Sequence, residues 1–436
     1  MCHHFPVPIS RRAAIGLGLA STVAVLTGCT ETGDESPGAV ASTDVTPVTP
    51  TRTVDGEVLR EELVATLRRC LEPTPENPDH PTYAGAVALV TIGGQRVASA
   101  AVGEALRYGA GAVLLPPDQR VPMQEDSIFD LASVTKMYTA ILLLRLVDRG
   151  QVDLSAPVQT YLPEFAGPGK AAVTVGRLLS HTAALPVGPS INGLSSVEQR
   201  WRAVITGPVL PDVAPGTVFR YSSVGLMLAG LIVERLTGMR LDAAARAQIT
   251  EPLGLRETGF TPTSWLPEAQ RDRFVATDAR SSRGLLRGVV HDDVCNRLGG
   301  VAGHAGLFST AADLAVVGRL LLGGGSHDGA RVLSAPLVAR MLANVNAGLP
   351  AVDPDRPART SDHGLGVELN QPWFMGGLSS PATFGHTGFS GTSILCDPRF
   401  DLVLVLLTNR AHPNWSWANP DPVRAQVATL VARHLV

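Results

Sequence analysis

Ser133 and Lys136 stand three residues apart in Phe129-Asp-Leu-Ala-Ser133-Val-Thr-Lys136-Met-Tyr-Thr-Ala-Ile-Leu-Leu-Leu-Arg145-Leu-Val-Asp-Arg-Gly150. The pattern predicts a helix starting at Ser133, and residues at i and i+3 share a helix face, so hydroxyl and amine can meet. Unpaired amides of the first turn put partial positive charge beside both groups. That field favours an alkoxide on Ser133 and disfavours an ammonium on Lys136. The chemistry would be a serine nucleophile with a lysine as its base. A Ser-x-x-Lys also arises by chance, as a surface lysine behind a serine. The background is informative: among 36 Lys+Arg, the only lysines are Lys136 and Lys170. A base that must release its proton cannot be arginine, because guanidinium stays protonated.

Two later clusters carry further candidates. Pro215-Gly-Thr-Val-Phe-Arg-Tyr221-Ser222-Ser223 leads into an apolar run ending at Gly238. A phenol on that loop can relay a proton if positive groups stand close; the plain alternative is a buried tyrosine held by one hydrogen bond. Phe384-Gly-His386-Thr387-Gly388-Phe389-Ser390-Gly391 reads as a strand whose small residues let another backbone approach. Thr387 could donate to a carboxylate or carbonyl, and His386 could add a proton or a positive charge; a strand with a surface histidine is the alternative. His291, Asp292, Asp293 and His304 match no standard metal-ligand spacing and read as polar loop residues beside a cleft. His181 reads as a structural hydrogen-bonder.

The helix carrying Ser133 is apolar on nearly every side from Ala140 to Val147 except at Arg145, so it belongs inside a domain, with Gly150 closing it. Ahead of it, a helix over Leu59 to Leu71 and a strand over Gly85 to Ile92 are expected. Gly93-Gly94 turns the chain into a return strand, Arg96 to Val102. Near the other end, Ala382 to Gly391, Thr392 to Asp397 and Asp401 to Asn409 read as three strands. A helix over Pro422 to Leu435 follows, with Val423, Val427, Leu430 and Val431 on one face. Strands and helices from both chain ends predict an α/β (α+β) domain. It would hold an antiparallel sheet flanked by terminal helices, with a helical middle. The expected organisation places the domain at 57–436, its sheet part at 57–136 and 330–436, and its mainly helical part at 137–329.

Residues 1–29 read as an export signal. Arg11-Arg12 precedes an apolar stretch too short to span a bilayer comfortably. The arginine pair hints at twin-arginine export. Leu26-Thr-Gly-Cys29 resembles a lipobox, in which Cys29 is acylated and anchors the chain to the outer face of a membrane. Residues 30–56 are polar and rich in Thr, Pro and Gly, which reads as a flexible tether. Cys70, Cys295 and Cys396 remain, with buried free thiols expected and one disulfide the alternative. The formal charge of −3 and the lack of a basic run argue against nucleic acid as a partner.

Together, Ser133-x-x-Lys136, Tyr221-Ser-Ser223 and His386-Thr387-Gly388 resemble the penicillin-recognising serine hydrolases. These include class C β-lactamases, DD-carboxypeptidases and related esterases. Leu178-Leu-Ser-His181-Thr-Ala-Ala184-Leu-Pro186, Glu251 to Phe260 and Leu402 to Arg410 extend the resemblance over about residues 57–436. Gly299-Gly-Val-Ala-Gly-His304-Ala-Gly and Asn409-Arg-Ala-His412-Pro are similar to the penicillin-binding protein 4B branch and its muropeptide amidase relatives. The resemblance implies a β-lactamase/transpeptidase-like fold with an inserted helical domain and the site between sheet and helices. It implies attack by Ser133, proton movement through Lys136 and Tyr221, and an oxyanion hole from the amides of Ser133 and Phe389. Substrate contacts would come from Ser223, His386, Thr387 and Gly388, without cofactor or metal. The implied substrate is a peptidoglycan fragment or a small acyl compound. It would be cut at a D-alanyl or muramyl-peptide amide, with an ester or a weakly hydrolysed β-lactam as alternatives. A non-catalytic cell-wall binder is the alternative of another class. Three residues depart from the pattern: Ser223 replaces a common asparagine, His386 a lysine and Ala184 a glycine. The first two argue against an efficient β-lactamase.

Overall fold

The computed structural model describes residues 54–353 and 356–435. The export signal, Cys29 and residues 30–53 of the tether lie outside the described residues. A seven-stranded antiparallel sheet forms the frame. In chain order its strands are β1 (Gly85–Ile92), β2 (Gln95–Leu106), β3 (Val121–Pro122), β4 (Glu368–Leu369), β5 (Phe384–Thr387), β6 (Ser393–Asp397) and β7 (Leu402–Thr408). Their spatial order is β4-β5-β6-β7-β1-β2-β3, so the two ends of the chain meet where β7 pairs with β1.

Alternation along the central strands builds two cores. Ala86, Ala88 and Val90 of β1, with Leu402, Leu404 and Leu406 of β7, face one side. There they meet α1 (Gly56–Arg69) through Leu59, Leu63 and Leu67, and the C-terminal helix through Val423, Val427 and Val431. Val87, Leu89, Val403, Val405 and Leu407 face the other side and join a larger core. Successive strand side chains point to opposite faces, so each strand serves both layers. α1 starts at Gly56 because the Asp55 carboxylate accepts from the amides of Glu57 and Val58, and it ends at Arg69, two residues earlier than the sequence suggested.

α2 (Thr135–Asp148) is the centre of the larger core. Thr135 to Leu144 and Leu146 are all buried, and Gly150 closes the helix at φ +68°. α3 (Ser223–Thr237) packs beside it, and α4 (Ala311–Leu322) lies on the sheet, where Gly318 faces Val403. A small three-stranded sheet, with Leu307–Ser309 between Phe129–Asp130 and Gly259–Phe260, fixes the chain just before Ser133. The closing helix is α5 (Asp421–Arg433). Cys70, Cys295 and Cys396 are buried free thiols.

Candidate active site

Ser133, expected to open the helix, lies two residues ahead of it. It occupies a short 3-10 turn, Ala132–Val134, and α2 begins at Thr135. The reason is local. Ala132 sits in the left-handed region at φ +47°, and the Asp130 carboxylate accepts its amide at 2.8 Å. A non-glycine residue in that region is strained, and here the strain falls on the residue before the nucleophile candidate. The other Asp130 oxygen accepts from the His291 amide at 2.7 Å. Burial raises the Asp130 pKa to about 6, against the pull of those two amides.

Lys136 is fully buried, with Nζ 2.9 Å from Ser133 Oγ and 3.0 Å from the His304 carbonyl oxygen. Ser133 itself is half-buried, so the hydroxyl can be reached while the amine is shielded. The glycine-rich loop supplying that carbonyl is laced to α2. Thr139 Oγ1 donates to the Gly303 carbonyl at 2.8 Å, and the Leu307 amide donates to Thr135 Oγ1 at 3.2 Å. The His304 ring is buried, with Nε2 3.2 Å from Asp292 Oδ1. Among the described residues no group of three or more His, Cys, Asp or Glu is arranged to hold a metal.

Tyr221 arrives on the loop ahead of α3. The His181–Val187 segment cradles that loop. His181 Nδ1 accepts the Ser222 amide at 3.1 Å, the His181 carbonyl accepts the Arg220 amide, and Val187 accepts the Ser223 amide. An imidazole accepting at Nδ1 is neutral, and burial holds His181 well below its usual pKa. Its ring packs on Tyr221 at 4.5 Å, a structural role. Ala184 keeps its turn at φ +54°, at a cost of about 1–2 kcal/mol that glycine would avoid. A lysine amine and a guanidinium face the Tyr221 ring. Lys136 Nζ is 5.0 Å from its centre and the Arg359 guanidinium 4.5 Å. Arg359 is clamped by Asp353 at 2.7 Å and Glu368 at 3.0 Å. Ser223 follows at the first turn of α3, half-buried.

The third cluster closes the site. His386 is fully buried on β5, and its Nδ1–H donates to the Thr387 carbonyl at 2.9 Å. Burial, and then the charge of Lys136, pushes its pKa down to about 3. Burial thus favours the neutral imidazole at His386, which speaks against a positive charge there. After buried Thr387 the chain runs against the nucleophile loop. Ser390 Oγ donates to the Asp130 carbonyl at 2.7 Å, and Thr392 Oγ1 to the Leu131 carbonyl at 3.0 Å. A Cβ at Gly388 would stand 2.5 Å from Leu131 O, so only glycine permits this approach. The Phe389 ring remains 43% exposed at the mouth.

The three clusters thus converge on one place: Lys136 meets Ser133 and the Tyr221 ring, Tyr221 lies beside His386, and the Gly388–Thr392 turn packs on the Asp130–Leu131 segment. A groove of about 920 Å³, lined by Arg246, Phe260 and Trp265 among others, contains none of Ser133, Lys136, Tyr221, His386 and Thr387. Sequence reasoning did not pick out Asp130, the His304 carbonyl, Arg359 or Arg424. Asp130 alone carried a signal, a carboxylate three residues before the serine of Ser-x-x-Lys.

A seven-stranded antiparallel sheet with a buried Ser-x-x-Lys at the head of its central helix defines a serine hydrolase of the penicillin-recognising type. The Beta-lactamase family model matches residues 67–429, and the chain belongs to that family. It is 32% identical over 356 residues to an N-acetylmuramyl-L-alanine amidase of Bacillus subtilis (strain 168), covering 76% of this chain and 78% of that protein. It is 30% identical over 361 residues to a putative D-alanyl-D-alanine carboxypeptidase of Escherichia coli (strain K12), covering 76% and 79%. A penicillin-binding protein homologue from Caulobacter crescentus shares the fold with a TM-score of 0.65 at 24% identity, over 90% of this chain and all of that one.

Proposed function

We propose that this protein hydrolyses an amide of a peptidoglycan fragment through an acyl-enzyme on Ser133. The observation that carries the proposal is the 2.9 Å separation of Ser133 Oγ from a fully buried Lys136 Nζ. Ser133 Oγ attacks the amide carbon as its proton passes to Lys136, with Tyr221 relaying it to the departing nitrogen. The C–N bond breaks and leaves an ester on Ser133. Water cleaves that ester and returns the proton to the serine. The amides of Ser133 and Phe389 receive the oxyanion, and Thr387 and Ser223 contact the substrate.

Between the two amides suggested by the relatives, a muramyl-peptide link is favoured over a D-alanyl bond. A terminal D-alanine carries a carboxylate; burial disfavours a charge on His386, and the nearby Arg359 is already held by Asp353 and Glu368. Export and anchoring through Cys29 complete the proposal and place the enzyme beside the cell wall. Cys29→Ser would then move the protein from the membrane fraction to the soluble fraction. The hydrolase itself is tested by a serine-directed phosphonate. Labelling should vanish in Ser133→Ala, and undiminished labelling would place the nucleophile elsewhere. Mass spectrometry of defined muropeptides after incubation identifies the bond cut.

A further inference from the structure

Eleven large hydrophobic residues are exposed among the described residues, and only two of them, Phe389 and Trp415, are aromatic. They are neighbours, with ring centres 5.6 Å apart and exposures of 43% and 44%. Exposed aromatics standing singly are ordinary, but a contiguous pair at a cleft mouth marks a binding surface. The pair adjoins the nucleophile. Phe389 sits between Gly388 and Ser390, both packed on the Asp130–Leu131 segment, and His291 lies 5.4 Å from its ring. Two arginines flank the shelf. The Arg410 guanidinium is 4.4 Å from the Phe389 ring centre, and the Arg280 guanidinium is 5.6 Å from that of Trp415. Arg280 is itself exposed.

We propose that Phe389 and Trp415, with Arg280 and Arg410 beside them, form a saccharide subsite. The acyl group transferred to Ser133 would then belong to an amino sugar bearing a peptide. The inference rests on the hydrolase reading above and chooses the muramyl side of its substrate. A pyranose offers a face of weakly positive C–H bonds to the negative face of an aromatic ring. Its rim carries hydroxyl and N-acetyl oxygens that accept from guanidinium donors. Arg410 already donates to the Trp415 carbonyl and fixes the shelf, and a purely apolar acyl chain would use the rings but not the exposed Arg280 guanidinium. The subsite lies beside the loop whose Phe389 amide faces the oxyanion, which is where the acyl half of a substrate must rest.

The test uses full-length Ser133→Ala protein, which binds without turnover. N-acetylmuramyl-L-alanyl-D-isoglutamine is titrated against L-alanyl-D-isoglutamine and its hexanoyl-capped form, by calorimetry and tryptophan fluorescence. The sugar-bearing ligand should bind at least about tenfold more tightly than either control. A second variant, Ser133→Ala with Trp415→Ala, should lose that preference while keeping its unfolding midpoint, because Trp415 is exposed. Equal affinity for the three ligands, or a preference that survives Trp415→Ala, overturns the subsite. Equally tight binding of the hexanoyl peptide also overturns it and makes the shelf a general acyl site. Phosphonate labelling of the wild type reports separately on the hydrolase reading, so either can fail alone.

Discussion

Arg424 on α5 donates to the Gly388 carbonyl at 2.7 Å, reaching across from the last helix of the chain to the loop beside Ser133. The same nitrogen donates to the Thr392 carbonyl at 2.9 Å, and the other terminal nitrogen to Asp421 at 2.8 Å. The side chain is buried, and burial lowers its pKa to about 10 while leaving it charged at pH 7. The loop presenting the Phe389 amide is therefore held from behind by a fixed cation. Arg424→Met would leave the Gly388 carbonyl without this donor, and a buried unsatisfied group costs about 1–3 kcal/mol. The expected result is a loss of about that size in urea unfolding and a fall in kcat larger than the rise in KM. Arg424→Lys should recover much of the stability and little of the kcat, since one ammonium cannot reproduce the planar fork. Wild-type kinetics in Arg424→Met would show that the loop keeps its shape unaided.

Lys136 separates charge from basicity. Lys136→Arg retains a cation near Ser133 and Tyr221 but cannot release a proton. If the lysine serves as base, Lys136→Arg and Lys136→Met should both lose about 10²–10⁴ in kcat/KM. If it supplies only field, the arginine variant should keep most of its activity. Acyl-enzyme formation with a phosphonate or activated ester, followed by mass spectrometry, measures the step directly.

Acid should unfold this protein early, because several histidines are buried in neutral form. Burial lowers His386 and His412 to about 3, and His363 and His291 to about 4. In the unfolded chain each titrates near 6.5, so between that value and the folded value the unfolded state binds more protons. Stability from each group is present above about pH 6.5 and is lost as pH falls toward 4, at up to about 1.36 kcal/mol per unit per group. Asp130 works in the opposite sense. Its pKa is raised to about 6, so its contribution is present at low pH and fades as pH rises through 6. Four histidines outweigh one carboxyl, and the melting temperature should drop steeply between pH 6.5 and 4. His386→Gln should flatten that slope, and an unchanged slope would count against a neutral buried His386.

β1, β2, β5, β6, β7 and α2 were legible because their patterns are local, and the two-residue strands β3 and β4 were not. β1 and β7 are apolar runs between turn residues, and α2 is apolar on nearly every side from Ala140 to Val147 except at Arg145. The three candidate motifs were legible through their order and spacing together, since each alone admits a plain structural reading. Arg359 was not legible. It lies on a loop far from Tyr221 in sequence, and its value comes from Asp353 and Glu368 meeting it in space. Arg424 looked like one more cation on a helix whose other face is apolar. Lysine scarcity was a partial guide, since Lys170 is also buried but donates to the Ile205 carbonyl and lies 4.4 Å from the Phe165 ring centre, remote in role from the site. The three-stranded sheet at Leu307–Ser309 escaped because two of its strands have only two residues each.

Gly303 is the residue on which the position of Lys136 turns. A Cβ there would stand 2.0 Å from the Leu226 carbonyl oxygen, a backbone atom of α3, and 3.1 Å from Thr139 Cγ2 on α2. Neither helix can retreat cheaply, because both are buried along most of their length. The loop must move instead, and the next residue is His304, whose carbonyl is the second partner of Lys136 Nζ. Gly303→Ala should therefore cost about 1–3 kcal/mol or more through overpacking. It should also lower kcat, because the amine loses the acceptor that orients it toward Ser133. Gly306→Ala provides the control. It is also strained, at φ +111°, and a Cβ there would stand 2.7 Å from the Gly300 carbonyl oxygen and 2.9 Å from Cys295 Sγ, but not against α3. Both variants should unfold at lower urea concentration. Only Gly303→Ala should lose turnover out of proportion to its stability, measured at a temperature where both remain folded. Equal kinetic losses in the two would show that the loop matters for stability alone.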